Sequence, residues 1–196
     1  VDDYSRARFF YPVKRKSDFL ECLQQFVTKM NKAQRRIKTV SIEGIQSDWA
    51  GEIAHGRTKT WCNERGIRLQ HSAPGSHQEN GVVEKTIDVV KSEARAIASN
   101  AGFLAEFWVF TMLAACHVLL FWPTKVNGKT PYEMLFNSPP DVTHLRVIGS
   151  LTYFYNYQVD NKNFDNTRGK PGVLLGYCDR SRSYLIWNPI SKRVVR

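Results

Sequence analysis

The pattern of apolar residues changes once along this chain, at Ser138-Pro139-Pro140. Before this point, segments with the apolar period of a helix alternate with short β-branched segments, whereas beyond it short strand-like segments follow one another, separated by turn residues. The first pattern is typical of a sheet with helices on its faces and the second of a small all-β unit. We therefore predict an α/β domain over residues 1–137 and an all-β module of about five strands over residues 141–196.

Within the first part, each element is predicted from its own period. We expect strand structure in residues 1–13 and 39–45, an amphipathic helix over 17–30, a helix over 51–64, a short strand over 67–71, a loop over 73–80, a long helix over 81–100, an apolar helix over 104–121 and a short helix from Pro131. The longest uncharged apolar run, residues 107–122, is too short for a comfortable membrane span, so we interpret it as a buried core helix.

Three separated acidic positions suggest a common chemistry. Asp2 or Asp3 lies at the start of the chain, Asp48 follows the strand predicted over 39–45, and Glu84 lies one turn into the long helix, with 35 residues between Asp48 and Glu84. Carboxylates that converge repel one another, and a divalent cation such as Mg²⁺ removes that repulsion. Two such cations support in-line phosphoryl transfer. The alternative is that each acid caps an element or faces solvent.

The charge balance favours a polyanionic partner. The chain carries 28 Lys and Arg against 18 Asp and Glu, a formal net charge of +10, which is typical of nucleic-acid binding. A solvated basic face or a membrane-surface partner fits the same surplus. Lys91 and Arg95 share a predicted helix face with Glu84, where they could hold a DNA backbone. A solvated face with ordinary salt bridges explains the same residues equally well.

Other classes of site find little support. The cysteines at 22, 62, 116 and 178 form no CxxC pair, which argues against zinc, and we expect buried thiols in a reducing compartment. The sequence contains no GxSxG elbow, GxGxxG fingerprint or Walker-type loop.

Several stretches together resemble one known family. The chain is similar to the integrase core of a copia-type long-terminal-repeat retrotransposon polyprotein, and the resemblance rests on VDDYSR, YPVKRKSD, IQSDWAGE, HSAPGSHQENGVVEK, KTPYEMLF, HLRVIGS and GVLLGYCDRSRSYLIWNP. The spacing between Asp48 and Glu84 is also that of retroviral-type integrases. The resemblance implies an α/β ribonuclease-H-like core, a mixed sheet with flanking helices, followed by an SH3-like module.

The resemblance also implies an activity and a site. The expected activity is insertion of element DNA into target DNA with Mg²⁺ or Mn²⁺, and the expected metal ligands are Asp2, Asp48 and Glu84. Asp2 is preferred to Asp3 because the family's acid directly follows the apolar end of the first strand. Gln78, Asn80 and Gly81 would shape the site and touch DNA. By resemblance, we also expect at least a homodimer acting in the nucleus, with no membrane association.

The chain departs from the family pattern at three places. Trp49-Ala50 replaces the usual Asn-Gly after Asp48, Glu79 adds an acid, and the first strand would start only at Val1, as in a piece of a longer protein. An integrase-derived fragment that is catalytically inactive and retains only nucleic-acid binding is therefore an alternative function. A general ribonuclease is a third.

Overall fold

The computed structural model of the chain describes residues 1–34, 42–47, 56–71, 77–155, 169–178 and 183–196. These residues form two compact units, one of Val1–Thr86 with Tyr132–Pro139 and one of Ile87–Pro131 with Pro140–Arg196. The helices are α1 (Phe19–Gln34), α2 (Arg57–Asn63), α3 (His77–Ala101), α4 (Trp108–Leu120) and α5 (Pro131–Phe136), and the strands are β1 (Gly44–Ser47), β2 (Arg68–His71), β3 (Leu151–Tyr155), β4 (Gly169–Tyr177), β5 (Tyr184–Asn188) and β6 (Arg193–Val195).

The core of the first unit forms where α1 packs its apolar stripe. Leu23 and Val27, four residues apart and so on one face of the helix, are buried together with Cys62 of α2 and Ile67, the residue before β2. β1 and β2 pair in parallel, from Gly44 opposite Arg68 to Ser47 opposite His71. This pairing brings Ser47 to the carboxyl edge of a parallel sheet.

The strand predicted for residues 1–13 is wrong. The chain there makes a tight turn, in which the Asp2 amide donates to the Ala7 carbonyl and the Arg6 amide to the Asp2 carbonyl, both at 2.9 Å. Arg6 sits at φ 61°, in the left-handed region that a strand does not use. Beyond the turn, Phe9 packs its ring on Phe26 of α1 with 5.0 Å between centroids. Aromatic packing on a helix, not strand pairing, explains the aromatic composition of this segment.

The second unit is built around a four-stranded antiparallel sheet in the order β3-β4-β5-β6. Its core joins Leu174 of β4 to Ala114 of α4 and to Ile148. The apolar run predicted as a core helix is therefore α4, which ends just before Pro123. Within the described ranges, no helix combines the length and apolar character that a membrane span needs.

The predicted fold class is confirmed, with helices around parallel strands first and an all-β module afterwards. Besides the segment 1–13, three details differ from the sequence predictions. β1 covers Gly44–Ser47, whereas a strand was predicted over 39–45, of which residues 39–41 lie outside the described residues. The long helix begins at His77, so four residues of the predicted loop are helical, and the described part of the module has four strands where about five were expected.

Candidate functional site

The Asp2 carboxylate is fixed by Ser5, three residues further along the turn. The backbone amide and the hydroxyl of Ser5 both donate to Oδ2 of Asp2, at 2.8 Å and 2.5 Å. The Ser5 hydroxyl oxygen in turn accepts a hydrogen bond from the Ala7 amide at 3.1 Å. Because Ser5 is completely buried, water does not compete for these contacts. The turn therefore orients one carboxylate rigidly through a single oxygen, and Oδ1 makes no hydrogen bond to the described residues.

Asp3, the neighbouring acid, is in a different environment. Its side chain is 90% exposed and lies 2.5 Å from the Arg6 guanidinium. Asp3 therefore already has a cationic partner and points into solvent, whereas the Asp2 side chain is held by a buried group. The local geometry thus distinguishes two adjacent acids that the residue types alone left equivalent.

The other two predicted ligands lie on separate elements. Glu84 is exposed on α3, in the same compact unit as Asp2. Asp48 lies outside the described residues, directly after the last residue of β1. No group of three His, Cys, Asp or Glu side chains able to hold a metal ion occurs among the residues whose placement is described. The three-carboxylate site depends on Asp48 and stays a prediction.

The predicted DNA-contacting residues all lie on α3. Gln78 and Asn80 belong to its first turn, and Gly81 follows them within the helix. The side chains of Gln78 and Asn80 are outside the described set. Gly81 is exposed, and a methyl group at its Cα would meet no atom within 4 Å. Lys91 and Arg95, further along the helix, are also exposed. These three positions are accessible to a ligand, and their role in DNA binding stays a prediction.

Thiol chemistry has no support in the structure. None of the four cysteines forms a disulfide. Cys62 is completely buried in the first core, and this burial raises the pKa of its thiol, with the Arg65 charge lowering it to a lesser extent. Burial also raises the pKa of the Cys22 thiol, and the charges of Glu21 and Asp18 add to the effect. Both groups stay protonated near neutral pH and are poor nucleophiles.

Sequence reasoning missed the role of Ser5, although the sequence contained a signal for it. An Asp followed three residues later by Ser is a pattern in which the Asp side chain accepts hydrogen bonds from the turn it begins. The aromatic run that follows led instead to a strand prediction.

Comparison with known proteins shows similarity to one protein family and to plant transposon polyproteins. Residues 150–196, which contain β3 to β6, match the retroviral polymerase SH3-like domain family. The chain is 25% identical over 197 residues to the retrovirus-related Pol polyprotein from transposon TNT 1-94 of Nicotiana tabacum, a match that covers 100% of this chain and 14% of that polyprotein. The Pol polyprotein from transposon RE1 of Arabidopsis thaliana is 26% identical over 186 residues, covering 94% of the chain and 12% of the polyprotein.

Among solved structures, the catalytic core domain of BIV integrase aligns with 65% of this chain and 74% of its own, at 20% identity and a TM-score of 0.46. At the level of class, the last part of the chain is similar to retroviral polymerase SH3-like domains. More particularly, the whole chain is similar to one segment of plant retrotransposon Pol polyproteins, and it spans only about one-seventh of their length. The resemblance predicted from the sequence is confirmed at this level.

Proposed function

We propose that this chain is a retrotransposon integrase, which inserts element DNA into target DNA by divalent-metal-dependent polynucleotidyl transfer. The observation that carries the proposal is the Asp2 carboxylate, which Ser5 holds through Oδ2 while Oδ1 is left open. The similarity to Pol polyproteins over the whole chain supports it. In this proposal residues 1–137 form a ribonuclease-H-like catalytic core, and residues 141–196 are a separate SH3-like domain.

Asp2, Asp48 and Glu84 would hold the metal. Their donors are all carboxylate oxygens, the hard ligands that Mg²⁺ and Mn²⁺ prefer, and Asp2 presents an oxygen free of protein hydrogen bonds in the described structure. A bound cation would neutralise charge on the phosphate and lower the pKa of an attacking hydroxyl group. Ser5 would hold the Asp2 carboxylate in one orientation, so that the ligand loses little conformational freedom when the metal binds.

DNA would approach along α3. Gly81, Lys91 and Arg95 are exposed on that helix, and the net charge of +10 favours a polyanion. Gln78 and Asn80 would contact DNA near Glu84, and Lys91 and Arg95 would contact phosphates further away. We further propose that the protein acts as a homo-oligomer, because two element ends must be handled together, and that it works in the nucleus, where target DNA is found.

The alternative is a domain that binds DNA but has lost catalysis. It is favoured by Trp49-Ala50, which places a bulky aromatic residue next to the predicted ligand Asp48, and by Glu79, which adds negative charge near Glu84. Under this alternative, DNA binding depends on salt concentration and no metal-dependent cleavage accompanies it.

A strand-transfer assay separates the two functions. The full chain is incubated with double-stranded oligonucleotides carrying an element end, plasmid target DNA and Mg²⁺, and joined products are counted. Asp48→Asn should lower the yield at least about a hundredfold, because it removes a charged ligand, whereas Asp3→Asn, the matched control, should leave it unchanged. Equal activity in Asp48→Asn and the unmodified chain would overturn the proposal.

Two further outcomes identify the competing functions. Salt-sensitive DNA binding without any metal-dependent nicking by the unmodified chain would establish the inactive alternative. Faster cleavage of an RNA–DNA hybrid than of DNA ends would instead identify a ribonuclease.

A further inference from the structure

Two histidines from distant parts of the chain meet in the second unit. Nε2 of His117, on α4, lies 3.1 Å from Nε2 of His144, in the segment that leads to β3, and the ring planes are nearly perpendicular. This distance is that of an N–H···N hydrogen bond. Such a bond requires that one of the two facing nitrogens carries a proton and the other presents a lone pair.

The pair is enclosed by aromatic rings. The Tyr177 ring stacks on His117, with 4.1 Å between centroids and 19° between planes. Phe121 touches both imidazoles edge-on, at 5.1 Å from His117 and 5.4 Å from His144. These contacts restrict both rings, so the facing nitrogens cannot easily turn away from each other while the segment stays in place.

Two tyrosine hydroxyls form hydrogen bonds with the backbone at and near His144. The Tyr184 hydroxyl donates to the His144 carbonyl at 2.8 Å. The Tyr177 hydroxyl donates to the Arg146 carbonyl at 2.9 Å and accepts from the Arg146 amide at 3.1 Å. Burial raises the pKa of the Tyr177 hydroxyl, which therefore stays neutral and keeps its proton to donate. Three contacts and the histidine pair together hold residues 144–146 against α4, β4 and β5.

An acidic and a basic residue lie on either side of His144 on this segment. Asp141 Oδ1 accepts hydrogen bonds from the amide and the hydroxyl of Thr143, at 3.0 Å and 2.6 Å. The Arg146 guanidinium donates to the carbonyls of Thr143 and Leu145, at 2.6 Å and 2.7 Å, so a permanent positive charge lies beside His144. Tyr177, whose ring stacks on His117, is neutral. A first added proton would convert the bond into a charge-assisted one from imidazolium to imidazole. A second would leave two N–H donors face to face, with like charges and no acceptor.

We propose that His117 and His144 form a pH-sensitive latch, which holds residues 144–146 on α4 while the pair carries at most one added proton and releases them when both rings are charged. Imidazoles generally change charge between about pH 5 and 8. Because the released form binds more protons, the stability that the latch contributes is present at neutral pH and lost as the pH falls. The segment that precedes β3 then becomes free to move.

Amide hydrogen exchange of the full chain tests the latch, because the Arg146 amide is bonded to Tyr177 only while the segment is seated. We expect its protection factor to fall at least about tenfold between about pH 7.5 and pH 5. The Leu174 amide of β4, which donates to the carbonyl of Ser150, the residue before β3, should stay protected. That difference separates local release from global unfolding.

Substitution of each histidine tests whether the pH dependence of Arg146 amide protection arises from the pair. His117→Gln and His144→Gln should each remove the pH dependence of Arg146 protection, whereas His71→Gln, on β2 in the first unit, should retain it. A protection factor in the unmodified chain that changes by less than about twofold would overturn the latch, as would a fall that persists in both variants.

Ring nitrogen chemical shifts of the unmodified chain test the latch if a variant fails to fold. The latch requires the two rings to take up protons in two coupled steps. Independent single-step protonation of each ring would overturn it.

Discussion

Ser5 donates its backbone amide and its hydroxyl to the same oxygen of Asp2, at 2.8 Å and 2.5 Å. Double donation to one oxygen fixes the carboxylate's orientation while its other oxygen faces away from these donors. Asp3, one residue on, is paired with Arg6 at the surface. The turn thus places two adjacent acids in different environments. Asp2 is held by a buried serine, as suits the metal ligand that we propose, whereas Asp3 is an ordinary surface acid.

Ser5→Ala should destabilise the first unit. The change removes the hydroxyl that bonds Asp2 and leaves the Ala7 amide without its partner, in a place that water does not reach. We expect the free energy of unfolding to fall by about 1–3 kcal/mol, measured by urea denaturation. Ser17→Ala removes an exposed hydroxyl and should change it by less than about 0.5 kcal/mol. If the two substitutions changed the free energy of unfolding by similar amounts, the hydrogen bonds of the Ser5 hydroxyl would contribute little to stability.

Magnesium should stabilise the unmodified chain against thermal unfolding. A ligand that binds only the folded state adds about 2.7 kcal/mol at a concentration one hundredfold above its dissociation constant. Asp2→Asn should greatly reduce the upward shift in unfolding temperature, and Asp3→Asn should preserve it, because Asp3 is already neutralised by Arg6. Scanning calorimetry with and without Mg²⁺ measures the shift in unfolding temperature for each variant and for the unmodified chain. A shift that survives in Asp2→Asn would remove Asp2 from the metal site.

The double variant Lys91→Gln, Arg95→Gln should weaken DNA binding and make it less dependent on salt. If each cation neutralises one phosphate, the slope of log K against log salt concentration should become shallower by about 1.8. Fluorescence anisotropy with labelled duplex DNA over a range of salt concentrations provides the slope. Lys129→Gln removes an exposed cation elsewhere and should leave the slope unchanged. An unchanged slope in the double variant would assign DNA contacts to other residues.

Gly172→Ala should destabilise the SH3-like domain. A Cβ at Gly172 would lie 2.5 Å from Cγ2 of Ile186 and 2.8 Å from the Trp187 carbonyl oxygen. Overpacking of this kind costs about 1–3 kcal/mol, measurable by denaturant unfolding. Gly169→Ala on the same strand meets ordinary contacts with Tyr153 at 3.8 Å and should be tolerated. Equal stability of the two variants would mean that the neighbouring strands move apart without cost.

Much of the fold was predictable because its signals are local. The amphipathic period of α1, the apolar α4 and the short β2 follow from residues that are close in sequence, and the structure has each of them. Gly66, which follows α2, takes a left-handed φ of 67°, a conformation that a glycine adopts without steric cost. The change to an all-β module after Pro139-Pro140 was visible for the same reason.

The errors occurred where contacts between distant residues decided the outcome. The segment from Phe9 to Tyr11 has the composition of a strand, but its rings pack on Phe26 of α1. His117 and His144 are 27 residues apart, and no periodicity relates them.

The sequence by itself therefore determined most of the helices and strands and the acidic residues that are candidates for a metal site, since each depends on residue type and near-neighbour spacing. The division into residues 1–137 and 141–196 stays a prediction. Tertiary structure alone decided that the rings of Phe9 and Tyr11 pack on α1 and which imidazoles of the second unit meet. These relationships depend on how whole elements pack, and packing is set by the sum of many weak contacts over the entire unit, which no local pattern of residues records.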